Sequence, residues 1–112
     1  MLNSFVNLSI CWEIEPILMT QFNRINLDDP YFKQWIFQRG YGHESSDFVR
    51  IYKELNDIVR DVAKKYSLYL IDLDKEVPKN SRYMYDVIHL NRNGNIFVGD
   101  ICTKELFCII NK

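Results

Sequence analysis

The sequence predicts an α/β fold with parallel strands, organised like the second half of a doubly wound domain. Residues 48–66 carry one apolar stripe at helical spacing, and residues 68–73 form a nearly continuous apolar run. Such a run is typical of a strand buried on both faces, as in a parallel sheet. Together with an earlier strand, these elements make one βαβ unit over residues 14–73, whose crossover is expected to be right-handed.

The chain opens with a predicted helix over about residues 2–12, followed by a strand in residues 14–20. Apolar residues at roughly helical spacing support the helix: Leu2, Phe5, Val6, Ile10 and Ile14. In the strand, Pro16 precedes a short apolar run, which suits a strand that begins with proline. Turn signals at residues 28–30 and 39–42 enclose a brief predicted helix over residues 31–38.

The long helix is the clearest element, and its apolar stripe is expected to be buried. The stripe consists of Phe48, Ile51, Tyr52, Leu55, Ile58, Val59, Val62, Ala63 and Tyr66. Two ion pairs, Arg50 with Glu54 and Asp61 with Lys65, are predicted on its solvent-exposed face.

A polar loop over residues 74–90 leads to a final helix over residues 91–109. Asn91 is the predicted N-cap, and Gly94 suits the tight start of the helix. The apolar positions of this helix are Ile96, Phe97, Ile101, Leu106 and Ile110. A sheet of only two parallel strands has too few strands to be stable alone. The sequence therefore predicts that either a partner supplies the rest of the domain or the chain is a remnant of one.

Composition excludes several function classes. With 47% hydrophobic and 14% aromatic residues in 112, the chain is not expected to be disordered. The net charge is −1 with interspersed signs, so no nucleic-acid partner is expected. No apolar window is long enough for a membrane span, and the absence of a signal-peptide pattern predicts a cytoplasmic location. Cys11, Cys102 and Cys108 are interpreted as small buried apolar residues in a reducing compartment.

The residues that could carry chemistry are Asp86 and His89, in the polar loop before the final helix. A carboxylate three residues before a histidine could accept the imidazole Nδ1–H and fix its tautomer. The other ring nitrogen would then act as a general base toward a nucleophile. The pair follows the carboxyl end of a buried parallel strand, which is where open α/β sheets bind ligands.

Residues 70–73, the polar loop, and the pattern Asp86-x-x-His89-Leu90-Asn91-x-x-Gly94 before a terminal helix resemble the C-terminal block of the SGNH (GDSL) hydrolase family. The strand at residues 16–21 resembles the family strand before its long helix. The resemblance implies a flavodoxin-like three-layer α/β/α fold and a serine esterase, lipase or acyl hydrolase that needs no metal or cofactor. It implies that Asp86 orients His89 and that His89 activates a serine.

The resemblance covers only the second half of the family domain. Residues 1–112 are therefore expected to form a single partial SGNH-like domain that lacks the serine, glycine and asparagine blocks. None of the serines follows Gly-Asp, and Gly99-Asp100 is followed by Ile101 within the last helix. Because loss of the nucleophile and of the oxyanion donors removes the rate enhancement, this chain alone is predicted to be inactive.

Other residues invite weaker interpretations. The run from Gly42 through His43 to Ser46 is not a nucleophile elbow, since the G-x-S-x-G pattern is absent. Ser45 and Ser46 are interpreted as loop or capping residues, with Ser46 or Asp47 as the N-cap of the long helix, and His43 as a partly exposed loop residue.

A metal site is the weaker alternative for the acidic residues. Asp72, Asp74, Asp86 and His89 carry suitable ligand atoms, but their spacing matches no particular site, and Asp72 is expected to bond backbone or a neighbouring loop. No metal is therefore predicted. Trp12 and Trp35 are expected to cover the sheet, or to face a missing partner.

Two functions remain open at this point. The first is the C-terminal portion of an SGNH-type ester hydrolase, whose substrate would be a small acyl ester or an acylated sugar or lipid. The alternative is a catalytically inactive remnant or interaction module that keeps the α/β packing. Either an N-terminal half supplied in trans or a homo-oligomer would cover the apolar surface that is left exposed.

Overall fold

A computed structural model describes residues 1–41 and 45–112. The elements in chain order are α1 (Leu2–Cys11), β1 (Ile17–Met19), α2 (Pro30–Gln38), α3 (Ser45–Lys65), β2 (Tyr69–Ile71), α4 (Leu73–Glu76) and α5 (Arg92–Ile110). The chain therefore has a loose α/β character, with helices in the majority and two strands in the described residues. The four long helices and both strands lie where the sequence predicts them, whereas α4 occupies the start of the predicted polar loop.

The two strands pair in parallel, as predicted. Ile17 lies opposite Tyr69, and Met19 lies opposite Ile71. Each strand spans only three residues, fewer than predicted. β2 ends early because the chain turns into α4 directly after Asp72.

Helices pack on both faces of this small sheet. Leu18 and Leu70 belong to a cluster formed with Val6 of α1 and Val62 of α3. The neighbouring strand residues Ile17 and Ile71 instead join a second cluster, with residues of α5: Phe97, Val98 and Ile101. Since successive strand residues point to opposite faces, α1 and α3 lie on one face and α5 on the other.

A third cluster lies beside the sheet and is organised by α2. Phe32 and Ile36 of this helix are buried against Ile25 and Val87. Trp35 packs at the margin of the same cluster, with its ring edge-on to Phe48 at 6.1 Å. Trp35 thus covers this cluster and not the sheet, and Trp12 is 73% exposed, so the expectation that the two tryptophans cover the sheet is wrong for both.

Two predictions for α3 need correction, and others concern residues that the structure does not describe. Ile51, Leu55 and Ile58 are each about half exposed, so part of the predicted stripe lacks cover. The helix begins at Ser45, so Ser46 and Asp47 lie inside its first turn and are not the N-cap. Gly42, His43 and Glu44, and the side chain of Ser45, fall outside the described residues, so the loop and capping interpretations made for them concern residues that the structure does not describe.

The predicted ion pairs of α3 have different outcomes. Arg50 contacts Glu54 at 3.2 Å, as predicted. Lys65 lies over the ring of Tyr66 at 5.1 Å instead of pairing with Asp61.

The three cysteine thiols are free, and the expectation that all are buried is wrong. Cys11 and Cys108 are exposed, and Cys102 is partly exposed. These exposed cysteines lie near the ends of α1 and α5, where no other element covers them in the described part of the chain. No helix within residues 1–41 and 45–112 has the length and apolar character that crossing a membrane requires.

Candidate functional site

Asp86 and His89 lie at the tip of a tight turn between α4 and α5. Met84 and Leu90 form an isolated antiparallel bridge at its base. Above the bridge, the backbone N–H of Tyr85 donates to the carbonyl of His89 at 2.9 Å. The turn therefore closes on itself and presents the residues of its tip to the surface.

Two buried side chains hold this turn on the body of the protein. Met84 is 1% exposed and belongs to the cluster under α5, while Val87 is 2% exposed and packs against α2. The carbonyl of Val87 also accepts the backbone N–H of Arg24 at 2.7 Å. Met84 and Val87 alternate along the chain with Asp86 and His89. Burial of Met84 and Val87 therefore keeps Asp86 and His89 toward the surface.

The Asp86 carboxylate binds the His89 ring and the backbone of its own turn. Its Oδ2 lies 2.8 Å from Nδ1 of His89. Its Oδ1 accepts the backbone N–H groups of Ile88 at 2.9 Å and of His89 at 2.8 Å. The structure thus brings together the two residues that the sequence singled out, and the local hydrogen bonds fix the carboxylate in position.

These contacts favour the ionised form of Asp86 and orient the His89 ring. Burial alone would raise the pKa of Asp86, but hydrogen bonds from Ile88 and His89 outweigh it and hold that pKa below its usual value. An ionised carboxylate only accepts hydrogen bonds, so Nδ1 of His89 must donate. In the neutral ring, Nε2 then carries the lone pair, as a general base requires.

His89 forms part of the wall of an open groove of about 610 Å³. The other lining residues are Gln21, Tyr52, Leu55, Asn56 and Ile88. Gln21 follows the carboxyl end of β1, so the groove opens where a ligand of an open α/β sheet is expected. The side chain of His89 is 67% exposed and that of Asp86 is 26% exposed, so the imidazole is accessible while the carboxylate is shielded beside it.

Asn56 shapes this groove, and the sequence analysis missed it. Its side chain is 2% exposed. Its Oδ1 accepts the backbone N–H of Gln21 at 2.7 Å, and its Nδ2 donates to the carbonyl of Gln21 at 3.0 Å. The available signal was one polar residue among the apolar positions of α3, between Tyr52 and Val59.

Beyond the carboxyl ends of both strands lies a charged cluster centred on Arg60. Its guanidinium binds both oxygens of Asp72, each at 2.8 Å, and Oδ2 of Asp74 at 2.7 Å. The hydroxyl of Thr20 donates to Asp72 at 2.8 Å and accepts the backbone N–H of Asp74 at 2.9 Å. Arg60 therefore ties α3 to the ends of both strands.

This cluster accounts for the acidic residues that invited a metal site. The hydrogen bonds of Arg60 hold the pKa of Asp72 below its usual value. Burial tends to raise the pKa of Asp74, but hydrogen bonds from Lys79 and Arg60 outweigh burial and hold this pKa below its usual value. In the described ranges, no three His, Cys, Asp or Glu side chains lie close enough together to bind a metal ion.

Among the side chains that the structure describes, no serine hydroxyl forms a hydrogen bond with the His89 imidazole, which contacts Asp86. Gly99 and Asp100 lie within α5, as the sequence predicts.

Comparison of the chain with protein-family models, curated proteins and solved structures finds no match. A function for this site must therefore be argued from its geometry. The three features available for that argument are the Asp86–His89 pair, the groove that His89 lines, and the parallel strands that end beside it.

Proposed function

We propose that this chain is the C-terminal portion of an SGNH-type serine ester hydrolase, in which Asp86 and His89 are the acid–base pair. The observation that carries the proposal is the 2.8 Å contact between Asp86 and His89 Nδ1 at the wall of an open groove. The parallel strands with helices on both faces agree with a flavodoxin-like α/β/α domain, of which this chain would supply one half.

In the proposed reaction, Nε2 of His89 accepts the proton of a serine hydroxyl as its oxygen attacks the acyl carbonyl. The tetrahedral intermediate collapses, the protonated His89 gives its proton to the leaving alcohol, and an acyl-serine ester remains. Water then attacks that ester with His89 again acting as the base, which releases the carboxylic acid and restores the serine. Asp86 stabilises the imidazolium in both steps without accepting its proton.

The lining of the groove favours an acyl ester as substrate. Leu55, Ile88 and Tyr52 offer apolar surface for an acyl chain, beside the imidazole that would act on its carbonyl. The proposed substrate class is therefore a small acyl ester, or an acylated sugar or lipid.

The proposal places the serine and the oxyanion donors on a polypeptide segment outside residues 1–112. This follows from the sequence, in which none of the serines follows Gly-Asp. Such a segment would have to enter the groove between α3 and the turn that carries His89, because both line it.

The first measurement is the DNA sequence upstream of the Met1 codon. If it encodes a strand followed by Gly-Asp-Ser, that segment should be co-expressed with this chain and assayed with a p-nitrophenyl acyl ester. We expect esterase activity from the two pieces together and none from this chain alone. His89→Ala or Asp86→Ala should lower kcat by a factor of about 10⁴ or more.

His43→Ala is the matched control, since it removes the other histidine and should leave the rate unchanged. Properly folded pieces that bind each other without any turnover would refute the hydrolase proposal. Equal losses in the His43 and His89 variants would also contradict it, because the base would then not be assigned to His89.

An inactive interaction module is the second candidate function. It is favoured by the large apolar side chains left exposed on the helices, including Phe5, Leu8 and Leu55. Upstream DNA that carries a stop codon and an unrelated gene would support this candidate, and the Asp86–His89 pair would then reflect ancestry alone.

A further inference from the structure

The outer edge of β1 has unpaired backbone groups. The N–H of Thr20 donates to Ile71 of β2 at 3.2 Å. Because backbone groups alternate in direction along a strand, those of Ile17 and Met19 point away from β2. Within the described residues the sheet contains only β1 and β2, so this edge has no partner strand. The free edge ends at Gln21, because the side-chain amide of Asn56 bonds both the N–H and the C=O of that residue.

Helix α3, which packs on the sheet, carries an apolar stripe that is only partly covered. Ile51, Leu55, Ile58 and Val62 follow one another at spacings of four, three and four residues, so they share one helix face. Val62 is 6% exposed because α1 covers it, whereas Ile51, Leu55 and Ile58 are 45%, 54% and 52% exposed. Helix α1 therefore covers only the end of the α3 stripe at Val62 and leaves its other apolar residues exposed.

Helix α1 has a second bare stripe. Phe5, Leu8 and Trp12 also recur at helical spacing and are 57%, 60% and 73% exposed. They lie about 100° around the helix from Leu2 and Val6, which pack on α3, so they flank the buried face. The helix Leu2–Cys11 contains no charged residue, so its exposed surface consists of apolar and uncharged polar side chains.

The total exposed area is large for the mass of the chain. The accessible surface is 7969 Å² for 13.5 kDa. A compact monomer of that mass is expected to expose about 6,500 Å². The excess of about 1,400 Å² exceeds the roughly 800 Å² that each partner buries in a standard interface. Covering one such face would therefore bring the exposed area toward that of a closed domain.

We infer that a second copy of this chain covers this face, with the two β1 strands pairing antiparallel about a two-fold axis at Leu18. In this register Ile17 of one copy lies opposite Met19 of the other. The outward N–H and C=O groups of these two residues have no partner within residues 1–41 and 45–112 of one copy, and they would bond to each other across the pair. The four strands then form one sheet, and the bare stripes of α1 and α3 lie on the same side of it in both copies.

The occupant is a second copy because the face is compatible with itself. An isologous contact sets the same patch of both copies against each other, so a patch with charges of one sign would repel its equivalent. The strand Ile17–Met19 and the bare stripes carry no charge. Glu15, the nearest acidic residue, lies opposite Gln21 of the other copy in this register and not opposite a second Glu15. Met19, which is 45% exposed, gains a cross-strand neighbour in Ile17.

This inference does not depend on the proposed hydrolase. A segment that completes the enzyme would compete with the second copy for the edge of β1. Adding that segment is therefore expected to convert the homodimer into a one-to-one complex. Failure of turnover in that complex would count against the hydrolase and leave the dimer unaffected.

The test is the molar mass in solution, measured by light scattering across a range of concentrations. We expect twice 13.5 kDa for the unmodified chain. Met19→Pro removes only an outward N–H, which edge strands tolerate, and should give the monomer mass with an unchanged circular dichroism spectrum. Met19→Ala keeps that N–H and should remain dimeric.

A second pair of variants keeps the test decisive if proline disrupts folding. Leu8→Glu on α1 and Ile96→Glu on α5 change side chains of similar exposure, 60% and 55%. Only Leu8→Glu should dissociate the dimer, since Ile96 lies beside Arg82 and Tyr83 on a helix that contacts β2 more than β1. A monomeric unmodified chain, or a dimer that persists in both Met19→Pro and Leu8→Glu, would overturn the inference.

Discussion

Two glycines of α5 have opposite surroundings, although they are only five residues apart. A Cβ at Gly94 would collide with the carbonyl oxygen of Tyr83 and lie 2.9 Å from a methyl carbon of Leu90. A Cβ at Gly99 would meet no atom within 4 Å. Gly94 therefore lets the start of α5 approach the turn that carries His89, whereas Gly99 has no packing reason to be glycine.

Substitution by alanine should thus change stability in opposite directions at these positions. Gly94→Ala is expected to destabilise the fold by about 3 kcal/mol, because the backbone of Tyr83 cannot rotate away. Gly99→Ala should stabilise it by up to about 1 kcal/mol through the higher helix propensity of alanine. Urea denaturation followed by circular dichroism measures both, and equal effects of the two changes would contradict this account.

At the scale of elements, Arg60 joins α3 to the ends of β1 and β2 through Asp72, Asp74 and the hydroxyl of Thr20. The sequence offered little sign of this role, since a charged residue on a long amphipathic helix is usually solvated. The side chains of Arg60 and Asp72 are only 20% and 18% exposed, so their contact is shielded from solvent and from salt.

Arg60→Met should therefore destabilise the protein at neutral pH by about 2 kcal/mol, because Asp72 loses a bidentate partner. The pKa of Asp72 is lowered in the folded state, so its contribution is present above the unfolded value of about 3.9 and is lost as the pH falls through the folded pKa. The deficit of the variant should accordingly shrink on acidification.

Arg50→Met is the matched control for this prediction. Arg50 and Glu54 lie on the same helix, but their side chains are 58% and 59% exposed. An exposed pair contributes little, so this variant should unfold with an unchanged urea midpoint at every pH. A similar pH dependence in both variants would show that the Arg60 cluster is not responsible.

The elements that the sequence predicted are those with a local signal. The stripe of α3 has a clear helical periodicity, and β2 lies in a nearly continuous apolar run. Asn91 caps α5 as expected, by accepting the N–H of Gly94 at 2.9 Å. Helix α4 was missed because its four residues, after Asp72, carry too short a pattern to separate helix from loop.

The site was predictable only in part, for the same reason. Asp86 and His89 are three residues apart, so one turn brings them together. The groove depends on residues that are far apart in sequence, such as Gln21 and Asn56, whose contact is set by how α3 packs on β1. Exposure of Ile51 and Leu55 also depends on where α1 ends, which helical periodicity does not reveal.

The whole molecule is extended for its length. Its radius of gyration is 16.1 Å, and its principal extents are 47 × 29 × 17 Å. A closed domain of this size is expected to have a radius of gyration of about 13 Å. Its buried residues form three separate clusters, one on each face of the sheet and one around α2. Such a thin body has little apolar volume from which to gain stability, so association and folding are expected to be coupled.

Coupling of this kind makes the thermal midpoint depend on protein concentration. If two copies share the edge of β1, unfolding also dissociates them, and Tm should rise by about 3 °C for each tenfold increase in concentration. Met19→Pro and Leu8→Glu should remove this dependence and lower Tm, while Ile96→Glu should retain it. A Tm of the unmodified chain that is independent of concentration, measured by calorimetry, would show that the folded state is held together without the second copy.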